Sequence, residues 1–199
     1  MIFHSDVNKR LPRNFYMQPT ETVAEALLGC LLVRILADGN VLSGRICETE
    51  AYLGEWDTAC HTSSGKTPRN RVMYGQGGLV YVYFVYGLHH MLNVVTEKEG
   101  KGCAVLIRGV IPEQGIEYMK ENRGDKMPLT DGPARLTQAF QITREHNGLD
   151  LVTSREMAII PGYRERTSSV IRTTRIGIDY AAEKDKQALL RFVLRPGSG

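Results

Sequence analysis

The alternation of apolar and polar positions lays out a run of strands in the first half of the chain and more helix in the second. Residues 30–36, CLLVRIL, read as a strand, Asp38-Gly39 is a hairpin-turn signal, and 41–52 return as a second strand. Residues 79–85 and 89–96 are two further strands around Tyr86-Gly87-Leu88, forming a protruding β-hairpin. Positions 103–111 make another strand that Pro112 should end, and short strands are predicted at 157–160 and 189–194. Thr22 and Glu25 have capping-box spacing and predict a short helix ending at Gly29. Pro112 leads into a helix over 113–121, and Asp131-Gly132-Pro133 opens one through Phe140, with the aspartate as cap. Residues 1–19 read as irregular, 54–78 as a long functional loop, and 122–130 as charged and mobile. The pattern predicts one α+β domain over 1–199, with a largely antiparallel, curved sheet and flanking helices.

Composition changes this picture little: 42% of residues are hydrophobic and 24% are charged, as in ordinary globular domains. No apolar run reaches the roughly 20 residues of a membrane helix. The start of the chain has no apolar segment of signal-peptide type, so a cytoplasmic location (nucleoid-associated in a bacterium) is expected. The four cysteines, Cys30, Cys47, Cys60 and Cys103, form no CxxC pair and are expected to be reduced thiols. Net charge is only +3, from 25 basic and 22 acidic residues. Its distribution is more informative. From 58 to 96 there is no aspartate or glutamate, while Lys66, Arg69, Arg71, His61, His89 and His90 all fall there. Such a stretch suits a polyanion such as a phosphate backbone, or is a chance gap in acids within a half-buried segment.

Several residues stand out against their surroundings. Glu48 and Glu50 are two apart and share a strand face with Tyr52; they are either a solvent-facing edge or a carboxylate beside an aromatic wall, able to act as a general base. Arg108 is the one charge in a nine-residue apolar strand, and a buried arginine needs a partner, for which Glu50 is available. That pair is either structural or holds Glu50 ionised and oriented. Asn93 lies in an apolar strand, either bonded structurally or facing a pocket. His61 is either a satisfied residue or a ligand contact. His89-His90 is a poor metal pair, because strand neighbours point to opposite faces, and no Cys/His/Asp cluster has ligand spacing, so neither metal nor cofactor is expected. Gly75-Gln-Gly-Gly78 lacks the lysine of a phosphate-binding loop, and no GxSxG is present.

Taken together, RICETEAYLG at 45–54, TPRNR at 67–71, YVYFVYG at 81–87, Asn93 and Arg108 occur in an order and spacing that resembles the alkyladenine (3-methyladenine, methylpurine) DNA glycosylase family. The resemblance runs from about Gln18 to Leu194. It implies a monofunctional enzyme of base excision repair that turns alkylated purines out of duplex DNA and hydrolyses the glycosidic bond. It implies Glu50 as the residue that activates water, Arg108 as its partner, and a backbone carbonyl at Ile176 as a third water contact. Tyr52, His61 and Tyr83 match walls around the flipped base, and Asn93 matches a residue that clashes with the 2-amino group of guanine. Tyr86 matches the side chain that fills the gap in the stack. Tyr81, on the face of Tyr83, is expected to be a structural neighbour. Lys66, Arg69, Arg71, Arg135 and Arg144 are expected along the DNA backbone. Implied are a damaged double-stranded DNA partner, no membrane, and a monomer. Two other classes fit parts of the pattern. A non-catalytic nucleic-acid-binding domain would use the basic, aromatic hairpin but leaves Glu50 and Arg108 without a role. A nucleoside or glycoside hydrolase using Glu48 and Glu50 would have both carboxylates on the same side of the bond.

Overall fold

The computed structural model describes residues 8–85, 87–164 and 168–195. Eight strands form one sheet in which every pairing is antiparallel. They are β1 (Leu31–Ile35), β2 (Val41–Tyr52), β3 (Val80–Val85), β4 (His89–Thr96), β5 (Cys103–Gln114), β6 (Met157–Ile160), β7 (Ser169–Thr173) and β8 (Arg191–Arg195). The main path runs β3-β4-β5-β2-β1-β6. The sheet forks at β2: β5 follows one edge, while the other is taken by β1 opposite 41–45 and by β8 opposite 48–50. The helices are α1 (Arg13–Tyr16), α2 (Thr20–Ala26), α3 (Ile116–Arg123), α4 (Pro133–Ala139) and α5 (Glu183–Lys186).

The period-2 alternation of the strands sorts the residues onto two faces. Val80 and Val82 of β3, Leu92 and Val94 of β4, Val105 and Ile107 of β5, and Ile46 and Ala51 of β2 face a core closed by Tyr16, Val23, Leu27, Met119, Leu136 and Phe140 from the helices and their ends. The intervening residues, Tyr81, Tyr83, Met91, Asn93, Leu106, Arg108 and Tyr52, face the other way and line a cavity. The long loop lies on that second face, where Cys60 and Met73 pack with Tyr81, Val95 and Ala104.

Several sequence expectations need correction. The strand from Cys103 does not stop at Pro112 but continues to Gln114, and α3 starts three residues later than expected. Pro112 is tolerated because it sits at an irregularity in the β2–β5 register, where the missing N–H breaks no regular ladder. α2 starts at Thr20 behind Pro19 with no side-chain cap; Thr20 Oγ1 bonds Glu97 and Thr96 instead. Asp131 does not cap α4: the N-cap is Gly132, at φ 103°. The segment 1–19 is not wholly irregular, since it holds α1, whose Tyr16 is buried. The segment 122–130 is anchored at both ends: Asn122 donates to Ala139 O and Thr130 to Val110 O, and Leu129 is buried. β7 and α5 were not expected from the sequence.

Candidate active site

Two strands and one loop bring the centre of the site together. β2 delivers Glu48, Glu50 and Tyr52 onto one face, β5 delivers Arg108, and the segment after β7 delivers Arg175 and Ile176. Glu50 has no exposed surface. Its Oε2 accepts from the Tyr52 hydroxyl at 2.9 Å and lies 3.3 Å from Arg108 Nη1, and its Oε1 accepts from the Ile176 amide at 2.8 Å. Burial pushes the Glu50 carboxyl above its ordinary pKa, against the pull of Arg108, the Ile176 amide and the Tyr52 hydroxyl; Glu48 adds to the rise. Burial works against the Arg108 charge, but Glu50 and then Glu48 outweigh it and leave that guanidinium above its ordinary pKa.

Above this carboxylate is a cavity of about 270 Å³. Arg108, Tyr52 and Ile176, each in contact with Glu50, line it. Its aromatic walls are Tyr52, His61, Tyr81, Tyr83 and Tyr180. The His61 and Tyr83 rings meet edge-on with centroids 4.3 Å apart, and His61 Nδ1 lies 3.0 Å from the Tyr81 hydroxyl. Although exposed toward the cavity, the His61 imidazole is lowered to about 4, chiefly by desolvation among these rings and then by Arg69. Burial likewise raises the Tyr81 hydroxyl to about 12. Asn93 is buried, with its amide donating to Tyr81 O at 3.2 Å and Met91 O at 3.3 Å.

The loop that carries His61 is fixed by the asparagine of TPRNR. Asn70 donates to His61 O at 2.8 Å and Gly65 O at 2.9 Å, and accepts from the Thr67 amide at 2.7 Å. Gly54, which ends ETEAYLG, has φ +84°, and a Cβ there would meet Lys101 O at 2.6 Å, so only glycine lets the strand turn into this loop.

Most of the expected site residues therefore converge: Glu50, Arg108, Tyr52, His61, Tyr83, Asn93 and Ile176 all lie in or directly against one cavity. Differences remain. Arg108 has a closer carboxylate than Glu50: its Nε donates to Glu48 Oε1 at 2.7 Å. Ile176 also meets Glu50 directly, through its amide N–H. Tyr81 is a cavity wall as well as a neighbour of Tyr83. Arg69 lines the cavity with its guanidinium 6.0 Å from the Tyr83 ring, Lys66 sits 5.5 Å from the Tyr74 ring, and Arg71 is exposed. Arg135 donates to Asp131 O, and Arg144 is exposed in a short 3-10 turn; neither lines the cavity. Tyr86 lies outside the described residues. Among the described residues no group of three or more His, Cys, Asp or Glu is placed to hold a metal ion, and no helix is long and apolar enough to cross a membrane.

The sequence also gave no sign of Tyr180, whose hydroxyl donates to Ala59 O at 2.9 Å at the cavity edge. Nor did it show Arg175, fully buried and paired through both terminal nitrogens with Asp57 at 2.5 and 2.9 Å. The Arg175 guanidinium lies 4.8 Å from the Tyr52 ring centroid. Both could be noticed only as an arginine and a tyrosine flanking Ile176 in RIGIDY.

A buried carboxylate against a cavity walled by aromatic rings can take a flat ring and set a candidate base beside it. Comparison with known proteins agrees: residues 14–197 match the family described as Methylpurine-DNA glycosylase (MPG). A protein of Chlorobium luteolum is 46% identical over 176 residues, covering 87% of this chain and 89% of the relative. One of Methanocella arvoryzae is 48% identical over 176 residues, covering 87% and 86%. One of Myxococcus xanthus is 47% identical over 171 residues, covering 86% and 83%. All three are named "Putative 3-methyladenine DNA glycosylase". The chain belongs to the methylpurine-DNA glycosylase family, enzymes that hydrolyse the N-glycosyl bond in DNA.

Proposed function

We propose that this chain is a monofunctional glycosylase of base excision repair that turns alkylated purines out of duplex DNA into the cavity and releases them with a water activated by Glu50. The observation that carries this reading is the buried Glu50 carboxylate, fixed by Tyr52, Ile176 and Arg108 directly against an aromatic cavity. Among these contacts, Oε1 accepts only the Ile176 amide, and a carboxylate oxygen has room for a second donor, here the attacking water. A pKa raised by burial makes the carboxylate a stronger base near neutrality. Among the described residues no lysine lines the cavity, in keeping with water as the nucleophile and no lyase step.

A base within a duplex must leave the stack before it can be reached, at a cost of about a few kcal/mol. Tyr86 fills the vacated space in this reading, and the adjoining Gly87 and Leu88 are exposed. The rings of Tyr52, His61 and Tyr83 hold the base; aromatic faces favour the positive charge of 3-methyladenine and 7-methylguanine, with hypoxanthine and ethenoadenine as secondary substrates. Alkylation on a ring nitrogen also weakens the glycosidic bond, and Asn93 excludes ordinary guanine through its 2-amino group. Lys66, Arg69, Arg71, Arg135 and Arg144 follow the phosphates. In this reading the chain is a monomer acting in the cytoplasm, on the nucleoid in a bacterium.

The test is incubation with methylated duplex DNA and chromatography of released bases. Glu50→Gln is expected to abolish release while duplex binding is kept. Release at the wild-type rate would overturn the role of Glu50.

A further inference from the structure

Glu48 has no part in the reading above, yet it is paired with two arginines beside the site. Its Oε1 accepts from Arg108 Nε at 2.7 Å and from Arg191 Nε at 2.6 Å, and its side chain is only 12% exposed. Arg191 reaches it diagonally across the β2–β8 pair, since its own register partner is Glu50. Arg108 is thus held between two carboxylates: Nε on Glu48, Nη1 toward Glu50. A guanidinium is planar and rigid, so fixing one edge fixes the direction of the other. The result is a row of alternating charge, Arg191, Glu48, Arg108, Glu50, running from β8 across β2 to β5.

We propose that Glu48 is a positioning residue for base excision: it aims Arg108 at Glu50 and, with Arg191, sets the charge around that carboxylate. This rests on Glu50 being the base. The groups facing Glu50 are Arg108 from β5, Tyr52 and Glu48 from β2, the Ile176 amide beside Arg175, and more distantly Tyr83 and Tyr180, while Arg191 from β8 acts through Glu48. Replacing Glu48 loosens Arg108, the strongest of the groups that favour the ionised Glu50, and this outweighs the smaller repulsion removed; removing the positive charge of Arg191 leaves Glu48 less neutralised and also disfavours the ionised form. The activity of a general base rises as it ionises, so the acidic limb of the pH profile should move higher in both variants.

The experiment is single-turnover release from methylated duplex DNA between acid and neutral pH. Glu48→Gln should move the acidic limb higher and slow the plateau about tenfold through loosened aim of Arg108. Glu48→Asp, which keeps the charge, should leave the limb at its wild-type position. Arg191→Met, which alters a partly exposed side chain, should move the limb higher and gives the answer if Glu48→Gln fails to fold. Glu50→Gln is measured alongside. An active Glu50→Gln overturns the role of Glu50. An inactive Glu50→Gln, with the limb unmoved in the Glu48→Gln and Arg191→Met variants, overturns the role of Glu48 alone.

Discussion

His61 is the residue whose chemistry the cavity alters most simply. Its folded value of about 4 lies below the ordinary 6.5, so between those limits the unfolded chain binds the proton and the folded chain does not. Stability is therefore retained above pH 6.5 and lost as the pH falls toward 4. Denaturant unfolding at pH 7 and pH 4.5 should show a smaller loss in His61→Gln than in the wild type, and imidazole resonances should titrate below pH 6.5. A normal titration would mean that the ring is open to solvent on both sides. A neutral ring also spares a cationic base one source of repulsion within the cavity. Arg108 was legible in the sequence because it is the one charge in an apolar strand, and Glu50 because it shares a strand face with Glu48 and Tyr52. Their pairings were not. Glu48 meets Arg108 across 60 positions and Arg191 across 143, and such pairings depend on strand register, which local pattern does not encode.

Among the elements, the segment between β7 and α5 is tied down by a buried arginine. Arg175 joins it to the turn after β2, bonding Asp57, Ala51 O and, more loosely, Asp185 O. Because the adjoining Ile176 amide grips Glu50, the same clamp sets one of the carboxylate's contacts. Arg175→Met would leave Asp57 buried without its partner and should cost about 3–5 kcal/mol in urea unfolding. A cost below about 1 kcal/mol would mean that water reaches Asp57. The strands richest in valine, leucine and isoleucine were plain in the sequence, and β2, β4 and β6 fall where the alternation placed them. β7 was hidden because Ser169, Arg172 and Thr173 blur its alternation and no residue of it is fully buried. It is a strand because β8 supplies its hydrogen bonds. Pro112 misled for the opposite reason: a strong local stop signal gave way to a register irregularity.

For the molecule as a whole, the acid-free stretch from 58 to 96 now has a place: it supplies much of the cavity wall and the exposed Lys66, Arg69 and Arg71 beside it. Each phosphate neutralised contributes about −0.9 to the slope of log binding constant against log salt. Arg71→Gln should therefore flatten that slope by about one, measured by fluorescence anisotropy on a duplex over a series of salt concentrations. An unchanged slope would place Arg71 off the phosphate path.

The fork of the sheet at β2 also governs when, during synthesis, a working enzyme first exists. Glu48 and Glu50 are translated well before β8, which flanks them and brings Arg191. A nascent chain still missing residues 191–195 holds both glutamates with one edge of their strand unpaired. Under the role proposed for Glu50, a chain interrupted before β8 is expected to be inert until that strand is in place.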